Sequence, residues 1–505
     1  MTGPARAIGL DFGTTTTLLA SDGGLFPLGE MRPWLPSLVG YDDAGSIVIG
    51  EQAYGIRPER SVRSIKSAIT KHRTVVRVTA PRGVREFSAD DFIVEVLTEV
   101  LRRAAAKGIE LTDPGVRISY GCPTVWDHGQ RERYVRLLHR AGLPAQLSQL
   151  VEEPIAAGVA WLAGHPQPDG TTLRTVVFDM GGGTLDVAVL DLHGGAVATA
   201  DVLAAVGRAE AGDALDGLIA DDLAQRLGVP DLDEREPSRA ADRRDLLLAA
   251  ARTVKERLSE TTEMIWAVDR SLFPNNEFSY TRDELETAFA PQWERAVACV
   301  RQALVIAHLT AHGRDDRQWP ADPDLLASVD LVLLAGGMSR VPLVRRRLRE
   351  LFGPAPAIEF AAAEPDEAVA LGLSVPATTR RVSRHALDAD ILLEWGSDET
   401  GRHSRVLYEA NTPIIEPWWV ERSWPGEWRF WCRGVDLALP AAGEAVLRVL
   451  PARPEAAATT LTLDDRELDG FPVALNGDAF ELAIYPSGRI VLVDGAGTHT
   501  GRRAP

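Results

Sequence analysis

Residues 175 to 192, TVVFDMGGGTLDVAVLDL, interrupt an apolar strand-like run with three consecutive glycines and carry aspartates at 179, 186 and 191. Glycine and aspartate are among the residues that strands tolerate least, so the interruption needs a reason. An earlier stretch, AIGLDFGTTTTLLAS at 7 to 21, follows the same plan: apolar strand, Asp-x-Gly, small residues, second apolar strand. Backbone N–H groups of Gly13, Thr14, Thr15 and Thr16 in one copy, and of Gly181, Gly182, Gly183 and Thr184 in the other, can converge on phosphate oxygens without intervening side chains. Asp11 and Asp179 sit just before those turns, where carboxylates can hold the hydrated Mg²⁺ that accompanies nucleotide phosphates. A single glycine hairpin is also an ordinary turn. Two matched copies favour a triphosphate site.

The elements that must position these residues follow from the pattern. Each copy reads as a β-hairpin, and the recurrence is an internal repeat that predicts two related lobes. A third glycine site lies in VDLVLLAGGMSRVPLVRRRLRELFG, residues 329 to 353. There Val329 to Leu334 reads as a buried strand, Gly336-Gly337 as its turn, and Val341 to Phe352 as an amphipathic helix with arginines outward.

Composition bounds the class. A chain of 505 residues, 45% apolar and 25% charged, is that of a globular protein with about three domains. A net charge of −18 without an offsetting basic run argues against nucleic acid or an anionic membrane as partner. Cys122, Cys299 and Cys432 form neither a disulfide framework nor a CxxC metal spacing, which fits a reducing compartment. The start MTGPARAIGLDFG lacks the apolar core of a signal peptide, and no apolar run reaches transmembrane length, so a cytoplasmic location is expected.

The order and spacing of the three motifs resemble those of the heat shock protein 70 (DnaK-type) chaperones, a branch of the actin and hexokinase superfamily. IGLDFGTTTT is similar to that family's first phosphate motif, VFDMGGGTLDVAVL to its second, and LVLLAGGMSRVPLV to its adenosine motif. VEEPIAAGVAW (151 to 161) and EPDEAVALGLSV (364 to 375), which includes Asp366, resemble the two hinge-forming helices. The resemblance spans residues 6 to 377. It implies an α/β, two-lobed actin-like ATPase fold of duplicated ribonuclease H-like lobes, with ATP/ADP, Mg²⁺ and K⁺ as ligands.

Individual roles are implied by the same resemblance. Lys66 falls where the family has its catalytic lysine, the alternative being an exposed helix lysine. Glu153 corresponds to the glutamate that orders metal-bound water, and Thr184 and Asp186 to residues that hold cations and the terminal phosphate, beside Asp11 and Asp179. Lys255 and Ser259 match the adenine-contacting helix; Gly336, Gly337, Arg340 and Asp366 lie on the base and sugar side, with Met338 replacing a small polar residue. Arg252 and Glu256 reverse the charges usual there; four residues apart, they are expected to retain an ion pair in the opposite order. Ala211 and Ala214 replace a glycine and an acid, leaving Gly212, Asp213 and Asp216. Pro123 and Arg131 have the spacing of the family's proline switch. Gln149 and Glu152 stand where J-domain-binding members carry arginine and asparagine, an exchange expected to weaken J-protein stimulation.

Residues 378 to 390 read as a polar, basic linker between an ATPase domain (1–377) and a β-rich domain (391–505). Ile391, Leu392 and Leu393 resemble the family's hydrophobic docking linker, and read equally as the first strand of that domain. FELAIYPSGRIVLVD predicts a hairpin turning at Pro486 to Gly488, and the domain resembles a chaperone substrate-binding β-sandwich without helical lid. The five tryptophans of PWWVERSWPGEWRFWCRG (417 to 434) offer either a core or an apolar recognition surface. The expected activity is slow ATP hydrolysis controlling the hold on a peptide or protein client. The alternatives are a nucleotide-state scaffold with one dedicated partner and a metabolite kinase of the same superfamily.

Overall fold

The computed structural model describes residues 6–503 except 81–82, 230–236, 269–272, 276, 314–320, 376–378, 398–400, 422–427 and 452–459. Two sheets repeat one motif. In the first, Arg6–Phe12 runs parallel to Val116–Cys122 on one side and antiparallel to Thr16–Ser21 on the other. In the second, Thr172–Met180 runs parallel to Leu331–Ala335 and antiparallel to Leu185–His193, with Ala198–Arg208 beyond it. The central strands are apolar runs buried on both faces, as expected of sheets covered by helices. The two lobes anticipated from the repeat are therefore present.

Helices supply those covers and the joint between lobes. Ala89–Ala106 and His128–Arg140 close the first core, the latter opened by a reciprocal Asp127/Gln130 capping box. In the second lobe the long helix Arg282–His312 starts at a Thr281/Glu284 capping box and packs on Ala198–Arg208. Glu153–Gly164 and Ala368–Leu373, the expected hinge pair, pack against each other, and the second also touches Arg6–Phe12. Between them the pair contacts both central sheets.

The C-terminal module is two facing sheets around one apolar core. Its turn at Pro486 to Gly488 forms as anticipated: Tyr485 N–H donates to Arg489 O at 2.9 Å and Gly488 N–H to Tyr485 O at 2.9 Å. Among the described residues its α-helices are only Pro417–Glu421 and Gly434–Leu437, so no lid helix covers it there. No helix of the described residues is long and apolar enough to cross a membrane.

Two expectations are corrected. Within the expected linker, Thr379–Ser383 is a strand that extends the second lobe's sheet, parallel to Ala198–Arg208 from Ala198↔Thr379 to Val202↔Ser383; residues 376–378, and so the proposed boundary itself, lie outside the described residues. An open sheet edge supplies the hydrogen bonds that polar TRRVS does not advertise in its sequence. Ile391 and Leu393 are fully buried in the module, within Ala389–Ser397, which pairs with Gly401–Tyr408 and Gly443–Pro451. They are core of a strand, not a docking segment, and Leu392 alternates to the opposite face.

The tryptophan-rich stretch is mostly interior. Ile415, Trp419 and Trp428 belong to the apolar cluster of the second lobe, and Pro417–Glu421 packs on the helix Arg282–His312. Trp431 stacks on Trp419 at 5.2 Å between ring centres; Trp418 is exposed, and Trp424 lies outside the described residues. These rings join the module to the second lobe.

Candidate active site

The two hairpins close identically. Gly13 N–H donates to Thr16 O at 3.0 Å, and Gly181 N–H to Thr184 O at 3.1 Å. The two turns face one another: a Cβ on Gly182 would lie 2.8 Å from Thr15 Oγ1, and one on Gly183 2.7 Å from Thr14 Oγ1. A side chain at either glycine would press on the facing threonines, so glycine lets the two turns approach closely. The third turn closes on the second, since a Cβ at Gly336, whose φ is +74°, would lie 2.5 Å from Asp179 Oδ1. Parallel pairing of Asp179 with Ala335 sets this approach.

Acidic side chains converge beside the turns. Asp179 and Asp186 are direct cross-strand partners, and Asp11 occupies the homologous strand end in the first lobe. All three are buried, as are Thr184, Lys66 and Glu153. Lys66 precedes the short helix Ser67–Thr70 and forms an ion pair with Glu153, the first residue of the hinge helix. Its ammonium also lies 5.5 Å from the Trp126 ring. Asp186 Oδ1 accepts from Thr124 N–H at 2.7 Å, fixing one oxygen inward.

The charges are unbalanced: four carboxylates share one lysine. Burial, then the neighbouring Glu153, pushes Asp11 and Asp186 up to about 7, and the same causes raise Asp179 well above the carboxylate range. Burial would lower Lys66, but Glu153 and Asp11 outweigh it and hold the ammonium above its ordinary value. Such a site gains from an added cation. Its oxygen donors suit Mg²⁺, and among the described residues no three acids are close enough to chelate a metal directly. Asp11, Asp179 and Asp186 are the carboxylates nearest the two turns that such an ion would meet.

The residues expected on the base and sugar side pair with other protein groups. Lys255 Nζ lies 2.6 Å from Asp216 Oδ1 and donates to Gly212 O at 3.1 Å. Arg252 points to Asp216 at 3.4 Å and Asp213 at 3.7 Å, so the anticipated pair with Glu256 is replaced by acids of the neighbouring helix Gly212–Arg226. Ser259 Oγ donates to Lys255 O at 3.0 Å within its own helix. Arg340 follows Gly336 and Gly337 in a 3₁₀ turn and pairs with Glu364 at 2.5 Å and with Asp366.

At the hinge, Arg131 directs both Nη atoms to Glu152 Oε1 at 3.0 Å and donates from Nε to Trp126 O at 3.1 Å. Although burial opposes it, this guanidinium holds the Glu152 carboxyl below its ordinary range. Pro123 follows the strand Val116–Cys122, just before Thr124 and its bond to Asp186. Gln149 Nε2 is engaged by Ile118 O at 3.0 Å. Sequence reading missed the inward turn of Glu152 because the partner, Arg131, lies on a separate helix.

The family model described as Hsp70 protein matches residues 47–393. The chain is similar to the chaperone protein HscA homologs of Acidithiobacillus ferrooxidans (29% identity over 81% of this chain and 64% of the relative) and Methylococcus capsulatus (31%, 81% and 64%). It is also similar to the chaperone protein DnaK of Thermotoga neapolitana (30% identity, 76% of this chain and 61% of the relative). The matched region spans less than two thirds of the length of these relatives. With a family match over most of its length and the duplicated, two-lobed actin-like architecture, the chain belongs to the Hsp70 family.

Proposed function

We propose that the protein is an ATP-dependent chaperone-like ATPase: it binds ATP with hydrated Mg²⁺ between its lobes, hydrolyses it slowly, and thereby controls the hold of the C-terminal β-module on a peptide or protein client. One observation carries the reading: two glycine turns from separate lobes face one another, with Lys66, Glu153 and three aspartates buried beside them.

The chain's own groups divide the work. Amides of Gly13 to Thr16 and Gly181 to Thr184 bind phosphate oxygens, with Thr184 at the terminal one. Lys66, held by Glu153, orients the attacking water against that phosphate and offsets its charge. Bound Mg²⁺ supplies further charge neutralisation. Lys255, Ser259, Gly336, Gly337, Arg340 and Asp366 flank the base and sugar. Pro123 and Arg131, with Glu152 at the hinge, pass lobe closure toward the module. A cytoplasmic site of action, with little response to J-proteins, completes the reading.

A second reading is favoured by the tryptophan anchor: a nucleotide-state scaffold whose module, fixed to the second lobe, serves one dedicated partner. ATP turnover of the whole chain, measured with and without an unfolded peptide, separates the two. Peptide-stimulated turnover supports the chaperone; basal turnover indifferent to peptide favours the scaffold. Phosphoryl transfer to a small hydroxyl compound would overturn both in favour of a kinase.

A further inference from the structure

Arg252, whose charge is reversed relative to the family pattern, has a task in this fold that its own helix does not reveal. It reaches Asp213 at 3.7 Å and Asp216 at 3.4 Å, and Lys255 adds a contact to Asp216 at 2.6 Å. Asp213 and Asp216 lie three residues apart on one helical face, and without these cations they would repel. The same helix start is tied to the second phosphate turn: Asp213 N–H donates to Gly182 O at 2.7 Å and Gly212 N–H to Gly181 O at 3.2 Å.

From this anchored position the Asp213 carboxylate crosses to the other lobe. Its Oδ1 accepts a hydrogen bond from Ser64 Oγ at 2.9 Å. Ser64 has φ +54°, a left-handed backbone that non-glycine residues avoid and keep only when surroundings hold it. It opens the turn that carries Lys66: Ser67 N–H donates to Ser64 O at 2.9 Å and Ile69 N–H to Lys66 O at 3.0 Å. A continuous chain of contacts thus runs from Arg252 through Asp213 and Ser64 to the turn of Lys66.

We infer that Asp213, braced by Arg252, is a positioning residue for Lys66: through Ser64 it ties the lysine's turn to the second phosphate turn, so that the lysine is aligned when the lobes are closed. The inference rests on the reading of the cleft as an ATPase site. It also explains the reversed charge, since an acid at 252 would face two acids at 213 and 216.

Single-turnover hydrolysis and ATP titration on the full chain test it. Ser64→Gly removes the hydroxyl while leaving the left-handed turn unstrained. It should slow hydrolysis about 3- to 10-fold, the worth of one hydrogen bond, with ATP affinity held within about twofold. Asp213→Ala should slow it similarly, and the double variant should be no slower than the worse single, because both remove one link. Asp213→Asn, which keeps an acceptor, should recover most of the rate with Ser64 present and none of it in the Ser64→Gly background. Wild-type rates for Ser64→Gly alongside a slow Lys66→Ala, or multiplying effects in the double variant, would overturn the positioning role. A Lys66→Ala protein with wild-type turnover would instead overturn the reading of the site, and this inference with it.

Discussion

Lys66 and Glu153 form a buried ion pair between a turn of the first lobe and the N-terminus of the hinge helix. The pair belongs to a buried cluster that also holds Asp11, Asp179 and Asp186, all of which feel the Lys66 charge. Removing the lysine alone should destabilise the metal-free protein by about 3 kcal/mol, the low end for breaking a buried pair, because carboxyls raised toward 7 can take up protons. Urea unfolding in chelator checks this, with Lys66→Ala/Glu153→Ala expected to be the more stable of the two variants. Equal stability of wild type and Lys66→Ala would show that the pair contributes nothing.

Asp11→Asn and Asp179→Asn each delete a charge suited to a hydrated metal. Both nucleotide affinity and turnover should depend less on Mg²⁺ concentration than in the wild type. The metal-free variants should also melt higher, since each loses a carboxylate that burial and its neighbours destabilise in the charged form. Mg²⁺ titrations superimposable on wild type would reject the assignment.

The tryptophan anchor predicts a mechanical consequence. Trp428 is 1% exposed and packs with Trp419, 6.4 Å away, in the core of the second lobe. Trp428→Ala should cost about 3–5 kcal/mol and separate the melting of the module from that of the second lobe. Calorimetry reads the outcome: one cooperative transition in wild type and two in the variant. An unchanged single transition would mean that the rings fill space without joining the two bodies.

A pH effect follows from His499, whose Nδ1 lies 2.6 Å from Asp464 Oδ2 and Nε2 3.2 Å from Asp494 Oδ1. The Asp464 hydrogen bond, then Asp494, raises the imidazole above its ordinary value despite some burial. A raised folded value means that the stabilisation is complete below about 6.5 and is lost as pH climbs through the folded value. Melting temperature should therefore fall across that window, and His499→Gln should flatten the fall. A wild-type profile as flat as that of the variant would contradict the clamp.

The hairpins and their repeat were legible in the sequence because each copy carries its own strand, Asp-x-Gly and small-residue turn within about fifteen residues, whereas the facing of Gly182 and Gly183 on Thr15 and Thr14 was not. Lys66 and Glu153 were legible through family resemblance, since nothing in RSVRSIKSAIT foretells a partner 87 residues away. Thr379–Ser383 escaped notice because its strand character comes from the open edge it joins. Spacing alone paired Arg252 with Glu256, four residues on. The stronger competitors, Asp213 and Asp216, come from another helix and lie in a less exposed setting, where ionic contacts gain strength. The direction of Trp419 and Trp428, inward against Arg282–His312, likewise depends on a surface distant in sequence.

The central claim is that the two facing glycine turns form an ATP-hydrolysing site in which Lys66 acts on the reacting phosphate. Its most direct test is a paired measurement of ATP affinity and single-turnover hydrolysis in wild type and Lys66→Ala. The account predicts Mg²⁺-dependent ATP binding in both proteins, with slow hydrolysis in wild type and at least about tenfold slower hydrolysis in the variant, the scale set by losing a charge acting on the transferred phosphoryl group. Equal hydrolysis in the two proteins at equal affinity, or no ATP binding by the wild type, would contradict it.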